Sequence, residues 1–268
     1  MRGAIDGRDS DTDSTGLPGD DRLDMKIINT ESPLLVACIG GGVNSAGMIV
    51  EMHKRGICPN VSLFADTGGE TPETYAFIEI LSQWMIAHGM GPITTVHATG
   101  ETLEENCLRR EALPSVAYGF KTCSLRWKVQ PQEKFLNHWS GGRYYRKAIG
   151  FDAGEARRAK PYKDDKGEAW YPLVEWDLDR EDCAAICAEE NLAPAKSACF
   201  FCPNSRKAEV KTLAGTHPDL YARAIAMETN ASLLTVQGLG RTWRWADINL
   251  QLTMFDPEKS MPCGCYDG

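Results

Sequence analysis

The sequence predicts an α/β fold, a doubly wound and mostly parallel sheet carrying a cysteine-bearing C-terminal region, on three observations. The run Leu34-Leu35-Val36-Ala37-Cys38-Ile39 is continuously apolar, as a strand buried on both faces must be. Strand-like and helix-like segments alternate over short connections from residue 34 to residue 110, the pattern of parallel strands joined by helical crossovers. Glycine clusters, Gly40-Gly41-Gly42 and Gly68-Gly69, follow the first two strand-like runs, at the edge where open α/β sheets bind ligands.

Taken in order, strand one at 34–39 runs into the glycines, then Ser45 as N-cap and a helix from Ala46 to Lys54. Gly56 and Pro59 end that helix. A second strand, Val61–Ala65, leads to Asp66-Thr67-Gly68-Gly69, and Pro72 opens a helix of about sixteen residues. Strand Ile93–Ala98 and helix Thr102–Arg110 follow. Later elements are less regular: helices near 127–138, 179–190, 205–214 and 218–228, and strands near 147–151 and 172–176. The expected organisation is a disordered acidic leader at 1–24, a nucleotide-binding domain at 25–195, and a helical C-terminal region at 196–268.

The chain has 268 residues and a net charge of −8, with 43% hydrophobic and 25% charged residues, which is ordinary for a globular protein. It contains no apolar stretch long enough to span a membrane and no apolar signal segment at its start, so a cytoplasmic location is expected. The acidic total speaks against a protein that merely coats nucleic acid, but the charge is unevenly spread. Residues 1–24 hold three Arg and seven Asp, whereas residues 121–166 hold twelve Lys/Arg against five Asp/Glu. Nucleic acid is therefore an expected partner of the 121–166 segment, with Trp127, Tyr144 and Tyr145 as stacking surfaces.

Two local patterns carry chemistry. Gly40-Gly41-Gly42-Val43-Asn44-Ser45 joins a buried strand to a helix; glycines let the backbone approach an anion, and the helix start offers free N–H groups. It is neither the GxxxxGKS/T nor the GxGxxG loop. Ten cysteines without an export signal favour metal or redox chemistry over disulfides. Cys199-Phe200-Phe201-Cys202 sets two thiols on a tight turn, a spacing compatible with zinc, an iron–sulfur cluster or a redox pair. Cys38, Cys58, Cys107, Cys183 and Cys187 read as ordinary packing or turn residues.

Taken together these segments resemble the adenine nucleotide α-hydrolase superfamily. Residues 40–45 are similar to its pyrophosphate loop SGGxDS, with Gly40 in place of Ser and Asn44 in place of Asp. Three further stretches resemble the 3′-phosphoadenylylsulfate (PAPS) reductase-like branch. They are Asp66–Tyr75 (DTGxxxPET), Gly150–Arg158 (a Gly-led, Arg-containing substrate loop) and Tyr171–Asp177 with Asp179 (PLxxWxxxD). Cys123-Ser124-Leu125-Arg126-Trp127-Lys128 is similar to the CCxxxKxxP element of iron–sulfur sulfonucleotide reductases, with Ser124 replacing the second Cys.

The resemblance implies ATP or a related adenine nucleotide held by Gly40, Gly41, Gly42, Val43, Asn44, Ser45, Asp66, Thr67, Gly68 and Gly150. It implies Lys128, Arg157, Arg158 and Cys263 as catalytic residues, and a 4Fe–4S cluster on Cys123, Cys199, Cys202 and Cys265, with zinc as the alternative. Magnesium would accompany the nucleotide, although Asn44 removes a carboxylate that could help hold it. The implied activity is adenylation with loss of pyrophosphate, coupled to sulfur transfer or nucleic-acid modification, with a sulfur-donor protein as a further partner. A sulfonucleotide reductase releasing sulfite and a non-catalytic binding module are the alternatives.

Overall fold

The computed structural model describes residues 32–248; the acidic leader, Cys263 and Cys265 lie outside the described residues. The first described strand lies in the middle of the sheet. Strand β1 (Leu34–Ile39) is followed by helix α1 (Val43–Lys54), β2 (Val61–Asp66), α2 (Pro72–Ala87), β3 (Ile93–His97) and α3 (Leu103–Arg109). A short turn α4 (Thr122–Ser124), a π-helical turn (Leu125–Val129) and α5 (Gln130–Trp139) lead to β4 (Tyr145–Ile149) and β5 (Gly167–Trp170). Helices α6 (Pro172–Glu175), α7 (Arg180–Glu189), α8 (Lys207–Thr216) and α9 (Pro218–Asn230) complete the described order.

The strands lie in the order β3-β2-β1-β4-β5, and every pairing is parallel, with Val36 opposite Val61 and Leu34 opposite Tyr145. Winding outward from β1 to β3 and then resuming at β4 creates a switch point between β1 and β4, the crevice where such sheets take ligands. Strand β1 is buried on both faces, as its apolar run requires. Ala37 and Ile39 pack with Ile49 of α1 and Leu81 of α2, while Val36 and Cys38 pack with Leu136 of α5. Truncating a side chain so enclosed, Ile49→Ala for example, costs about 2–5 kcal/mol. A third cluster joins α3, Trp127, Phe200 and Phe201 to α8, α9 and Trp245.

Two elements differ from the sequence expectation. Residues 172–176 form a helical turn rather than a strand, because Pro172 sits at the first helical position and the Trp170 indole donates to Glu175 Oε2 at 2.7 Å across it. The strand is the preceding 167–170 segment. The expected helix at 127–138 opens instead as a π turn before α5; Pro131 cannot donate to the carbonyl four residues back, and the chain widens ahead of it. Cys183 and Cys187 face the core, where burial pushes their thiols up to about 12 and about 11. They are packing residues, as expected.

Candidate functional site at the carboxyl edge of the sheet

The glycine loop leaves β1 at the switch point. Gly41 has φ +81°, and a Cβ there would lie 3.0 Å from Thr74 Cγ2, so both the backbone conformation and the space call for glycine. Gly42 is extended (φ −100°, ψ 176°) and starts α1 three residues earlier than the sequence suggested. Ser45 is therefore not the N-cap; it sits inside the first turn and its hydroxyl donates to Gly42 O at 3.0 Å. No side chain caps α1 and no acidic residue occupies its first turn. The helix thus presents open N–H groups and its positive end at the switch point, which suits an anion.

Gly150, at the end of β4, presses on this loop. A Cβ there would stand 3.2 Å from both Cα and N of Ser45, so the close approach of the two chain segments needs glycine. Two residues on, Asp152 Oδ1 caps the following turn by accepting from Glu155 N at 3.0 Å. Its other oxygen accepts from Asn44 Nδ2 at 2.8 Å, with Glu155 Oε2 also 3.5 Å from that nitrogen. Asn44 is thus a donor placed between two carboxylates, and an Asp there would add a third negative charge. Arg158 pairs with Glu155 and lies over Phe151 at 4.4 Å, while Arg157 is exposed.

At the end of β2, Asp66 Oδ1 accepts from Gly68 N at 2.7 Å and from the Tyr75 hydroxyl at 2.8 Å. Burial, reinforced by Asp66, raises the Tyr75 hydroxyl above its ordinary pKa. Thr67 is buried; its Oγ1 accepts from Gly69 N at 3.3 Å and lies 3.1 Å from Cys199 Sγ. The cysteine loop is laid on this turn, since Phe200 N donates to Gly69 O at 2.7 Å.

Cys123, Cys199 and Cys202 line one pocket together with Lys121, Ser124 and Lys128. Sequence reading placed these thiols together, and the structure does bring them to one cavity; Ser124, where the resembled motif has a second Cys, lies on its wall. Burial pushes the Cys199 and Cys202 thiols up, and for Cys199 the Glu70 carboxylate adds to the effect. Lys128 Nζ stands 3.5 Å from Glu70 Oε1, and the Glu70 side chain is wholly buried. Burial is the largest influence and works against the Lys128 charge, but Glu70 together with Cys199 and Cys202 outweighs it, and the pKa stands above the ordinary lysine value. The three thiols share this cavity with a cation, without being gathered as a set of metal ligands. Among the described residues no three of His, Cys, Asp and Glu form a ready metal-ligand cluster.

Sequence reasoning missed Asp152 and Glu155 as partners of Asn44, and Glu70 and Ser197 as the link between the glycine loop and the thiol pocket. Glu70 carried a signal, being a carboxylate among turn residues directly after Gly68-Gly69. Ser197 carried none, because its contact with Gly40 spans 157 positions of chain.

The basic segment is largely paired within the chain. Arg126 meets Glu101 at 3.6 Å, Arg146 meets Glu168 at 3.5 Å, and Lys147 pairs with Glu133. Two of the three aromatics expected to stack on bases, Trp127 and Tyr145, are in the core instead. Each has an apolar body that the packed layers need, and Tyr145 also donates to Glu133 at 2.9 Å. The 241–245 segment is folded in by Glu228, which accepts from the backbone N–H groups of Leu239, Trp245 and Ala246 at 2.7–3.0 Å. Among the described residues no helix is long and apolar enough to cross a membrane.

No family model and no curated protein matches the chain. Among solved structures, the chain is similar to phosphoadenylyl-sulfate (PAPS) reductase from Candida auris, in a structure described as a phosphate complex. The two are 16% identical over 61% of this chain and 75% of the other, with a TM-score of 0.42.

Proposed function

We propose that the chain is an adenine-nucleotide-dependent enzyme that takes the phosphate chain of ATP on Gly40–Ser45. In this reading it adenylates an acceptor with loss of pyrophosphate, in support of sulfur transfer. One observation carries this: an uncapped helix start, free of acidic residues and led by a left-handed glycine, at the switch point of the sheet. Val43, Asn44 and Ser45 would offer their N–H groups to the phosphates. The nucleotide would lie between this loop and Asp66–Gly68, with Gly150 closing the other side. Arg157, exposed after the Asp152 turn, would meet the phosphates, whereas Arg158 pairs with Glu155. Magnesium would enter with ATP, and Asn44 gives it no carboxylate.

Cys123, Cys199 and Cys202 would hold a 4Fe–4S cluster, or zinc in its place, with Cys265 or Cys263 as the remaining thiol. When bound, an iron–sulfur group supplies thiolate-held iron at which sulfur can be delivered. Lys128, 3.5 Å from Glu70, would place a cation at that pocket. The acceptor is proposed to be a nucleic acid, reached by the exposed remainder of the basic segment, and a sulfur-donor protein would be the second partner.

The thiol pocket favours a second reading, a sulfonucleotide reductase with Cys263 as nucleophile. Product analysis separates the two. Release of pyrophosphate from ATP on addition of acceptor nucleic acid supports adenylation, and release of sulfite from a sulfonucleotide overturns it. Neither product under either condition leaves a binding module.

A further inference from the structure

The two halves of the site are joined by a partly buried polar chain through Ser197 and Glu70, two residues that the proposed chemistry does not use. On one side, the Ser197 hydroxyl donates to Gly40 O, the first residue of the glycine loop, and a Cβ built on Gly41 would come within 3.5 Å of Ser197 Oγ. On the other, the same hydroxyl lies 3.1 Å from Glu70 Oε2. Glu70 in turn faces Lys128 at 3.5 Å, and both side chains are buried. Ser197 stands two residues before Cys199, and that segment is pinned to the β2 turn by the Cys199–Thr67 contact at 3.1 Å and the Phe200 N to Gly69 O bond at 2.7 Å.

We propose that Ser197 and Glu70 are positioning residues that couple the glycine loop to the thiol pocket, so that a phosphate chain seated on the loop stiffens the segment carrying Cys199 and Cys202. This rests on the reading of the loop as a nucleotide site. The physical reason is the shortness of the path. A buried charge such as Glu70 must keep its partners or bear a large desolvation penalty, so it moves little relative to Lys128 and Ser197. The hydroxyl of Ser197 is the single side chain between that charge and the Gly40 carbonyl. Fixing the loop with an anion removes freedom from Ser197, and through it from the next five residues. Two sites biasing one element is what coupling requires.

The test is hydrogen–deuterium exchange of the peptide spanning residues 197–203 in the purified full-length protein, with and without saturating ATP. ATP binding is measured separately by equilibrium dialysis. In the wild type, ATP is expected to slow exchange in this peptide by about tenfold, within the usual range of coupling between sites. In Ser197→Ala the protein still saturates with ATP but the slowing falls below about twofold, and Ser197→Thr, which keeps the hydroxyl, retains it. Glu70→Ala removes the acceptor at the other end of the chain and is expected to behave as Ser197→Ala does, which also serves if the Ser197 variant fails to fold. Slowing that persists in both cut variants means that nucleotide reaches the segment directly, and overturns the coupling. So does a wild type that binds ATP with no change in exchange. Failure of the wild type to bind ATP at all is seen in the dialysis alone; it removes the nucleotide reading, and the coupling falls with it.

Discussion

The start of α1 and the starts of α3 and α7 solve the same problem in opposite ways. Each helix begins with N–H groups that its own backbone cannot satisfy. At α3, Thr102 and Glu105 form a reciprocal capping box, and Glu104 and Glu105 lie in the first turn. At α7, Asp179 and Asp182 do the same, with Glu181 beside them. Those helix starts carry their own anions and are closed. At α1 the cap is Gly42, no side chain bonds the free N–H groups, and no carboxylate is present in the first turn. Helices α2, α5 and α9 also lack a side-chain cap, but each carries an acid in its first turn; among the described helices of eight residues or more, α1 alone has neither, which suits its start at the switch point to an external anion.

The comparison breaks most readily at Gly41. Gly41→Val forces a β-branched residue into a positive φ and against Thr74, and is expected to abolish ATP binding, a loss of about a hundredfold or more in affinity, with about 1–3 kcal/mol lost from stability. Isothermal calorimetry beside a thermal melt checks both; unchanged affinity would remove the loop from the site.

Putting an acid where α1 has none gives the next largest effect. Asn44→Asp places a third carboxylate against Asp152 and Glu155 and a negative charge at the helix start, and should weaken ATP about tenfold. Equal or tighter binding, measured by the same titration, would mean that the Asn44 contacts do not shape the site.

At the closed helix, Thr102→Ala should cost about 1 kcal/mol of unfolding free energy in urea while leaving ATP affinity unaltered. A loss of binding there would blur the distinction between the two kinds of helix start. The smallest effect lies in titration. Glu101, bonded to Arg109 and to Asn106 ahead of Arg126, has its carboxyl lowered to about 2 from the ordinary 4.5. Because its folded pKa is depressed, its contribution to stability is present above about pH 4.5 and is lost as pH falls toward 2. A carboxyl resonance of Glu101 that titrates near 4.5 contradicts this.

Much of this architecture was legible in the sequence where periodicity or punctuation was strong. The unbroken apolar run at 34–39 could only be a strand enclosed on both faces, and Pro72 marked the start of α2. The resembled motifs group Cys123, Cys199 and Cys202, which line one pocket, whereas the Thr67–Cys199 contact is not legible in them. The segment Tyr171–Asp177 departs from its expected strand for a local reason: it has the apolar content of a strand, but Pro172 at the first helical position and the Trp170–Glu175 bond turn it instead. What else stayed hidden depended on partners far apart in the chain. The charge of residues 121–166 looked like a polyanion surface because the neutralising Glu70, Glu101 and Glu168 lie outside that window. Trp127 and Tyr145 looked exposed for the same reason, since linear neighbours say little about which layer covers an aromatic ring.

The most direct test of the central claim is backbone amide NMR on ATP titration of the isotopically labelled chain. Resonances of Val43, Asn44 and Ser45 are expected to shift saturably, while those of Leu103–Glu105 and Arg180–Asp182 stay in place. Shifts at the two capped helix starts, or none at the start of α1 under conditions where ATP binds, would contradict the assignment of the uncapped helix as the phosphate site.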